Sequence, residues 1–185
     1  MKYCYLIDAG YLLGAGSEAI KGARVRRANV EIVDPSIGLI PFLKRLGHRV
    51  FPDKSLLRIY WYDGISGKVT EEQQKINNTP NIRFRPSLDG QLGINHAMDR
   101  DIESLSAEGR VDSFLVISGD GGVAGALQRA QDRGVTVALV SIGSQNNQST
   151  LLLKEVDTRI VVEGKDLTDA IKITLNTSSD VDEDT

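Results

Sequence analysis

Short apolar runs recur along the chain at residues 3–7, 56–62, 81–85, 113–117, 135–141 and 159–162, and helical patterns separate most of them. Runs of this length, bounded by turn residues, read as strands. Helices are predicted over 10–21, 93–108, 122–133 and 146–155. A further helix starts at Asp34-Pro35, an N-cap followed by a preorganised first helical residue. It carries Ile37, Ile40, Leu43 and Leu46 at helical spacing and stops near Gly47. Strands alternating with helices predict an α/β fold whose mainly parallel sheet is covered on both faces. No internal repeat interrupts the pattern.

Length and composition sharpen this picture. At 185 residues the chain has the size of one domain, expected to span 1–175. Residues 176–185 form a polar stretch with four acids and no base, expected to be a disordered tail. Those acids account for the overall charge of −3, since the remaining body carries +1. Nucleic-acid binding would therefore need a local basic patch. One is at hand after the first helix, in Lys21, Arg24, Arg26 and Arg27. No apolar run reaches membrane-spanning length, so no membrane partner is expected. The lone cysteine, Cys4, has no partner for an intrachain disulfide, as suits a cytoplasmic protein.

Two strands end in a carboxylate: Tyr3-Cys-Tyr-Leu-Ile-Asp8 and Phe114-Leu-Val-Ile-Ser-Gly-Asp120. In open α/β sheets, ligands gather at the carboxyl ends of strands. A third candidate emerges from the helix at 93–108. At 100° per residue, Ile94, Ala97, Met98, Ile102 and Leu105 share one stripe, and Asp101 falls near its middle. A carboxylate in an apolar stripe calls for a cation or a paired arginine. Asp99 points the other way, beside Asn95, Arg100 and Glu103, and reads as solvated. Asp8, Asp101 and Asp120 together could hold Mg²⁺ or Mn²⁺, which favour oxygen ligands, and such a site suits phosphodiester hydrolysis. The plainer role for Asp8 and Asp120 is capping the helix after each of them.

Other motifs weigh less. Gly119-Asp-Gly121-Gly-Val-Ala124 fits a dinucleotide fingerprint after a strand. Against it, Asp120 would press a negative charge on a pyrophosphate, and no acid follows the next strand to bind a ribose. Two isolated histidines, His48 and His96, do not make a zinc site. Ser118 has no histidine at motif spacing and is considered only as a nucleic-acid contact. Arg83 and Arg85 share one face of an expected edge strand, where phosphates could meet them.

Several stretches in order resemble the bacterial NYN-domain proteins of the PIN-like nuclease superfamily. They are Leu6-Ile-Asp-Ala-Gly-Tyr-Leu-Leu13, Ile59-Tyr-Trp-Tyr-Asp-Gly64, Gly90-Gln-Leu-Gly-Ile-Asn95 leading to Asp101, and Val116-Ile-Ser-Gly-Asp120. Ala130-Gln-Asp-Arg-Gly-Val135, Asn147-Gln-Ser149 and Glu155-Val-Asp157 complete the series, which spans roughly residues 3 to 163. The resemblance implies a three-layer α/β/α sandwich and a metal-dependent endoribonuclease with Asp8, Asp101 and Asp120 as the acidic site. RNA would be the partner, and a homodimer is one assembly open to it. Asn95 stands where the family has an acid, Gly122 where it has a second acid after Asp120, and Leu92 where it has a lysine. An Asn offers an uncharged carbonyl oxygen and a Gly no side chain. The alternative expectation is therefore a catalytically degenerate domain that binds RNA or protein.

Overall fold

The computed structural model describes residues 1–88, 91–144 and 147–174, with the side chains of Gln91 and Leu92 outside the description. The expected acidic tail, the end of the domain at 175, the start of the helix at 146 and the role of Leu92 therefore lie outside the described residues.

All six predicted strands pair into one sheet. They are β1 (Lys2–Asp8), β3 (Ser55–Gly64), β4 (Ile82–Ser87), β5 (Ser113–Ile117), β6 (Thr136–Ile142) and β7 (Thr158–Val162). The spatial order is β4-β3-β1-β5-β6-β7, and every neighbouring pair is parallel. Parallel neighbours need crossovers, which helices supply. These are α1 (Ala9–Lys21), α2 (Leu39–Val50), α3 (Glu71–Asn77), α4 (Gln91–Ala107), α5 (Ala124–Asp132) and α6 (Thr150–Lys154). A short α7 (Gly164–Leu167) comes after β7. Two strands not foreseen, β2 (Val30–Ile32) and β8 (Ile171–Ile173), form a separate antiparallel ribbon.

Alternation along each strand divides the core in two. Tyr3, Tyr5 and Ile7 of β1 join Ile59, Trp61, Leu115 and Ile117 in one cluster, covered by Leu12 and Leu13 of α1 and Leu43 and Leu46 of α2. Cys4 and Leu6 join Tyr60, Tyr62, Phe114 and Val116 in the other, covered by Met98 and Ile102 of α4 and Leu127 and Ala130 of α5. The chain is thus a three-layer α/β/α sandwich. Each fully buried Leu, Ile, Val or Phe contributes about 1.5–3 kcal/mol of apolar transfer energy, and β1, β3 and β5 each send side chains into both helical layers.

The start of α2 departs from expectation. Asp34 Oδ1 accepts from the Ser36 N–H at 2.9 Å, and the Asp34 carbonyl accepts from Gly38 N–H, so Asp34-Pro35 shapes a turn ahead of the helix. Ile37, expected on the buried stripe, is 77% exposed, because α2 begins only at Leu39. At its other end α2 runs on past Gly47 to Val50, so His48 lies within it and exposed. Gly47 is required by packing: a Cβ there would lie 2.0 Å from Tyr3 Oη. Among the described residues, no helix is long and apolar enough to cross a membrane.

Candidate functional site

Strand order reverses its direction of growth at β1. The chain moves outward through β3 and β4, then returns to place β5 on the other side. Loops leaving β1 and β5 therefore diverge to opposite faces, and a crevice opens between their carboxyl ends. Asp8 closes β1 and Asp120 lies just beyond β5, so both line this crevice. The cleft has a volume of about 800 Å³ and is also lined by Tyr11, Gly119, Asn147, Gln148 and Ser149.

Each carboxylate caps the helical segment next in the chain. Asp8 is the N-cap of α1, its Oδ1 accepting from Tyr11 N–H at 3.1 Å. Asp120 Oδ1 accepts from Gly122 N–H at 2.9 Å and starts a 3₁₀ turn, Gly121–Val123, that leads into α5. Capping uses a fraction of a carboxylate's acceptor capacity, which extends to about four lone-pair sites. Asp8 is held above the usual carboxylate range, chiefly by desolvation. The N–H groups of Tyr11 and Gly10 oppose that shift, and the charges of Asp120 and Asp63 add to it.

This makes Asp8→Asn a clean probe. Asparagine caps as well as aspartate, so the helix start is kept while the desolvated charge is removed. A carboxyl with a raised folded pKa binds protons more readily when folded, so it favours the fold at low pH and loses that contribution as pH rises through its folded pKa. Without added cations, Asp8→Asn is expected to melt above the wild type at pH 7, with the gap closing toward pH 3. Thermal melts across that range check it; a lower melting temperature at pH 7 would contradict it.

Asp101 is placed elsewhere. It is buried, 6% exposed, as its position on the apolar stripe of α4 predicts. Arg85 of β4 grips it through two hydrogen bonds, Nε to Oδ2 at 2.7 Å and Nη2 to Oδ1 at 3.0 Å. Tyr62 Oη donates to the same Oδ2 at 3.0 Å. The carboxylate is thus compensated by a guanidinium, and it does not line the cleft. No group of three or more His, Cys, Asp or Glu among the described residues is arranged to hold a metal ion. Asp99, read as solvated, is half-buried, and its Oδ1 is buried without a hydrogen-bond partner among the described residues.

Asn95 does join the site. Its amide lies against the bare Cα of Gly122, where a Cβ would sit 2.7 Å from Asn95 Nδ2 and 3.4 Å from Asp120 Oδ1. The two positions where the resemblance leads one to expect acids are therefore neighbours. The other glycines of the turn are fixed by protein contacts too. A Cβ on Gly119 would meet Asn147 O and the Tyr11 ring at 2.7 Å, and one on Gly121 would meet Ser149 Oγ at 2.4 Å. Packing accounts for these glycines without a pyrophosphate.

Comparisons with known proteins bear on the fold. No family model matches the chain, and no curated protein matches it. A crystal structure of a protein of unknown function from Vibrio parahaemolyticus superposes with a TM-score of 0.57 at 14% identity, covering 88% of this chain and 93% of that one. At that identity the likeness is one of architecture, and it supports the three-layer sandwich.

The basic loop opens onto the same region. Arg24, Arg26 and Arg27 line a groove of about 630 Å³ that shares Gly10, Tyr11 and Asn147 with the acidic cleft. Arg24 and Arg26 are exposed, as is Lys21 at the end of α1, although Lys21 does not line the groove. Arg27 is engaged in the fold: it donates to the Val30 carbonyl at 2.7 Å and forms a close ion pair with Glu72. Ser118 is fully buried, its Oγ accepting from Asp120 N–H at 3.3 Å, so it braces the turn from beneath the cleft.

Asp63 is the residue that sequence reasoning passed over. It lies near the end of β3, next to β1, and its charge is felt at Asp8. Burial raises its own pKa, opposed by the Gln73 amide, which donates to Asp63 Oδ2 at 3.0 Å. The signal was present: Tyr62-Asp63-Gly64 repeats the motif of an apolar strand ending in an acid and a glycine.

Proposed function

We propose that the protein is a cytoplasmic Mg²⁺- or Mn²⁺-dependent endoribonuclease acting at the Asp8–Asp120 cleft. The observation that supports it is the convergence of these two carboxylates at the switch point of a parallel sheet, beside a groove lined by Arg24 and Arg26. Asp8 and Asp120 fit a hard divalent cation in ligand type and charge. When bound, such a cation supplies Lewis-acid stabilisation of phosphoryl oxygens and a more acidic water. Asp8 and Asp120 would hold it, and Asn95 would orient water or a phosphate oxygen by its amide. Arg24 and Arg26 would meet backbone phosphates, which fix register without reading sequence.

A second reading, a catalytically degenerate domain that binds RNA or protein, is favoured by one observation. Asp101 is neutralised by Arg85, which leaves two carboxylates lining the cleft among the described residues, and cation affinity depends on ligand charge count. Incubation of the purified chain with structured and unstructured RNAs decides between them. Cleavage that needs Mg²⁺ or Mn²⁺ and stops with a chelator supports the nuclease. RNAs left intact with both cations overturn it, and retained RNA in a binding assay then supports the second reading.

A further inference from the structure

Behind the Asp120 turn runs a one-way chain of hydrogen bonds whose far end is a half-buried arginine. Arg159 of β7 donates from Nε to Ser141 Oγ of β6 at 2.6 Å. Ser141 in turn donates to Gln148 Oε1 in a short contact. Gln148 Nε2 donates to the Ser118 carbonyl at 2.9 Å and to the Val140 carbonyl at 3.1 Å. Ser141 and Ser118 are fully buried and Gln148 is 8% exposed, so water competes little along this path. Arg159 Nη2 is itself buried without a partner among the described residues, a cost that calls for a reason.

The direction of the chain supplies that reason. A guanidinium can only donate, so Ser141 must accept from it and turn its own proton toward Gln148. Gln148 must then present its oxygen to Ser141 and its NH₂ to the two carbonyls. A neutral residue at position 159 that could also accept would leave the Gln148 amide free to flip, setting its oxygen against the Ser118 carbonyl. We propose that Arg159 is a positioning residue: through Ser141 it sets the orientation of Gln148, which clamps the Ser118 carbonyl and fixes the turn that carries Asp120. A second strap runs parallel, from Ser149 N–H to the Gly119 carbonyl at 2.8 Å, so the segment holding Gln148 is bound to this turn at two points. The inference rests on the proposed function only in taking Asp120 as a residue of the site.

Amide hydrogen exchange without added cation tests it, independently of any nuclease activity. Arg159→Met and Gln148→Leu are each expected to speed exchange at Ser149 and Gly122 about tenfold, and the double variant no further, because both cut one chain. Tyr11 N–H, bonded to Asp8 across the cleft, should keep its rate. Arg159→Lys, still a pure donor, should return Ser149 and Gly122 to within about threefold of the wild type. Should Arg159→Met fail to fold, Arg159→Gln, which can turn an oxygen toward Ser141, is compared with Arg159→Lys in the same way. Unchanged rates at Ser149 and Gly122, additive effects in the double variant, or equal acceleration at Tyr11 would each overturn the proposal.

Discussion

If the protein is the nuclease proposed above, Asp120→Asn is expected to reduce cation-dependent RNA cleavage by at least about a hundredfold while leaving the melting temperature close to that of the wild type. The asparagine oxygen can still accept the Gly122 N–H, so the turn ahead of α5 keeps its cap. One of the two carboxylates that line the cleft among the described residues loses its charge. A metal-bound phosphoryl group draws several kcal/mol of stabilisation from its cation, and each 1.36 kcal/mol is about a factor of ten in rate. Losing a carboxylate charge at such a site should therefore move activity by orders of magnitude. The comparison needs single-turnover cleavage with Mn²⁺ for both proteins, together with thermal melts. Retained cleavage would remove Asp120 from the mechanism, whereas loss of both folding and cleavage would say that its capping role dominates.

The second large effect concerns stability. Arg85→Met should cost about 3 kcal/mol in urea unfolding, the lower end of the range for breaking a buried ion pair by removing one partner. Asp101 would be left buried with Tyr62 Oη as its close donor, since Arg100 stands 3.9 Å away and is largely exposed. Arg85 also lies over the Tyr60 ring at 5.4 Å, a cation–π interaction that methionine cannot make. Pairing the change with Asp101→Leu should restore most of the stability, because an apolar pair of similar volume needs no compensation. If Arg85→Met alone costs less than about 1 kcal/mol, the Arg85–Asp101 pair is not the feature that compensates Asp101.

These two residues also show where the sequence was legible. The angular position of Asp101 on α4 foretold its burial, because helical geometry is local. Its partner could not be foretold, since Arg85 sits on another strand and only tertiary packing sets the two side chains together. Asp8 and Asp120 were readable for the opposite reason. Each ends a run of buried residues, and strands buried on both faces announce themselves by continuous apolar sequence. Three-residue strands carry no such signature. Val30 pairs with Ile173 across most of the chain, and neither β2 nor β8 has a period to detect. Asn95 and Gly122 lie 27 positions apart in sequence, and only the approach of α4 to the turn after β5 makes them neighbours.

The place of β1 at the middle of the sheet has a consequence for how the molecule comes into being. Its strand neighbours are Ser55 to Tyr62 on one side and Ser113 to Ile117 on the other. During synthesis β1 emerges before both of its neighbours, and its second edge stays uncovered until β5 has been made. Pairings so distant in sequence make folding slow and leave apolar edges open to other chains. The strand that carries Asp8 is therefore the one most in need of protection while the ribosome completes the rest.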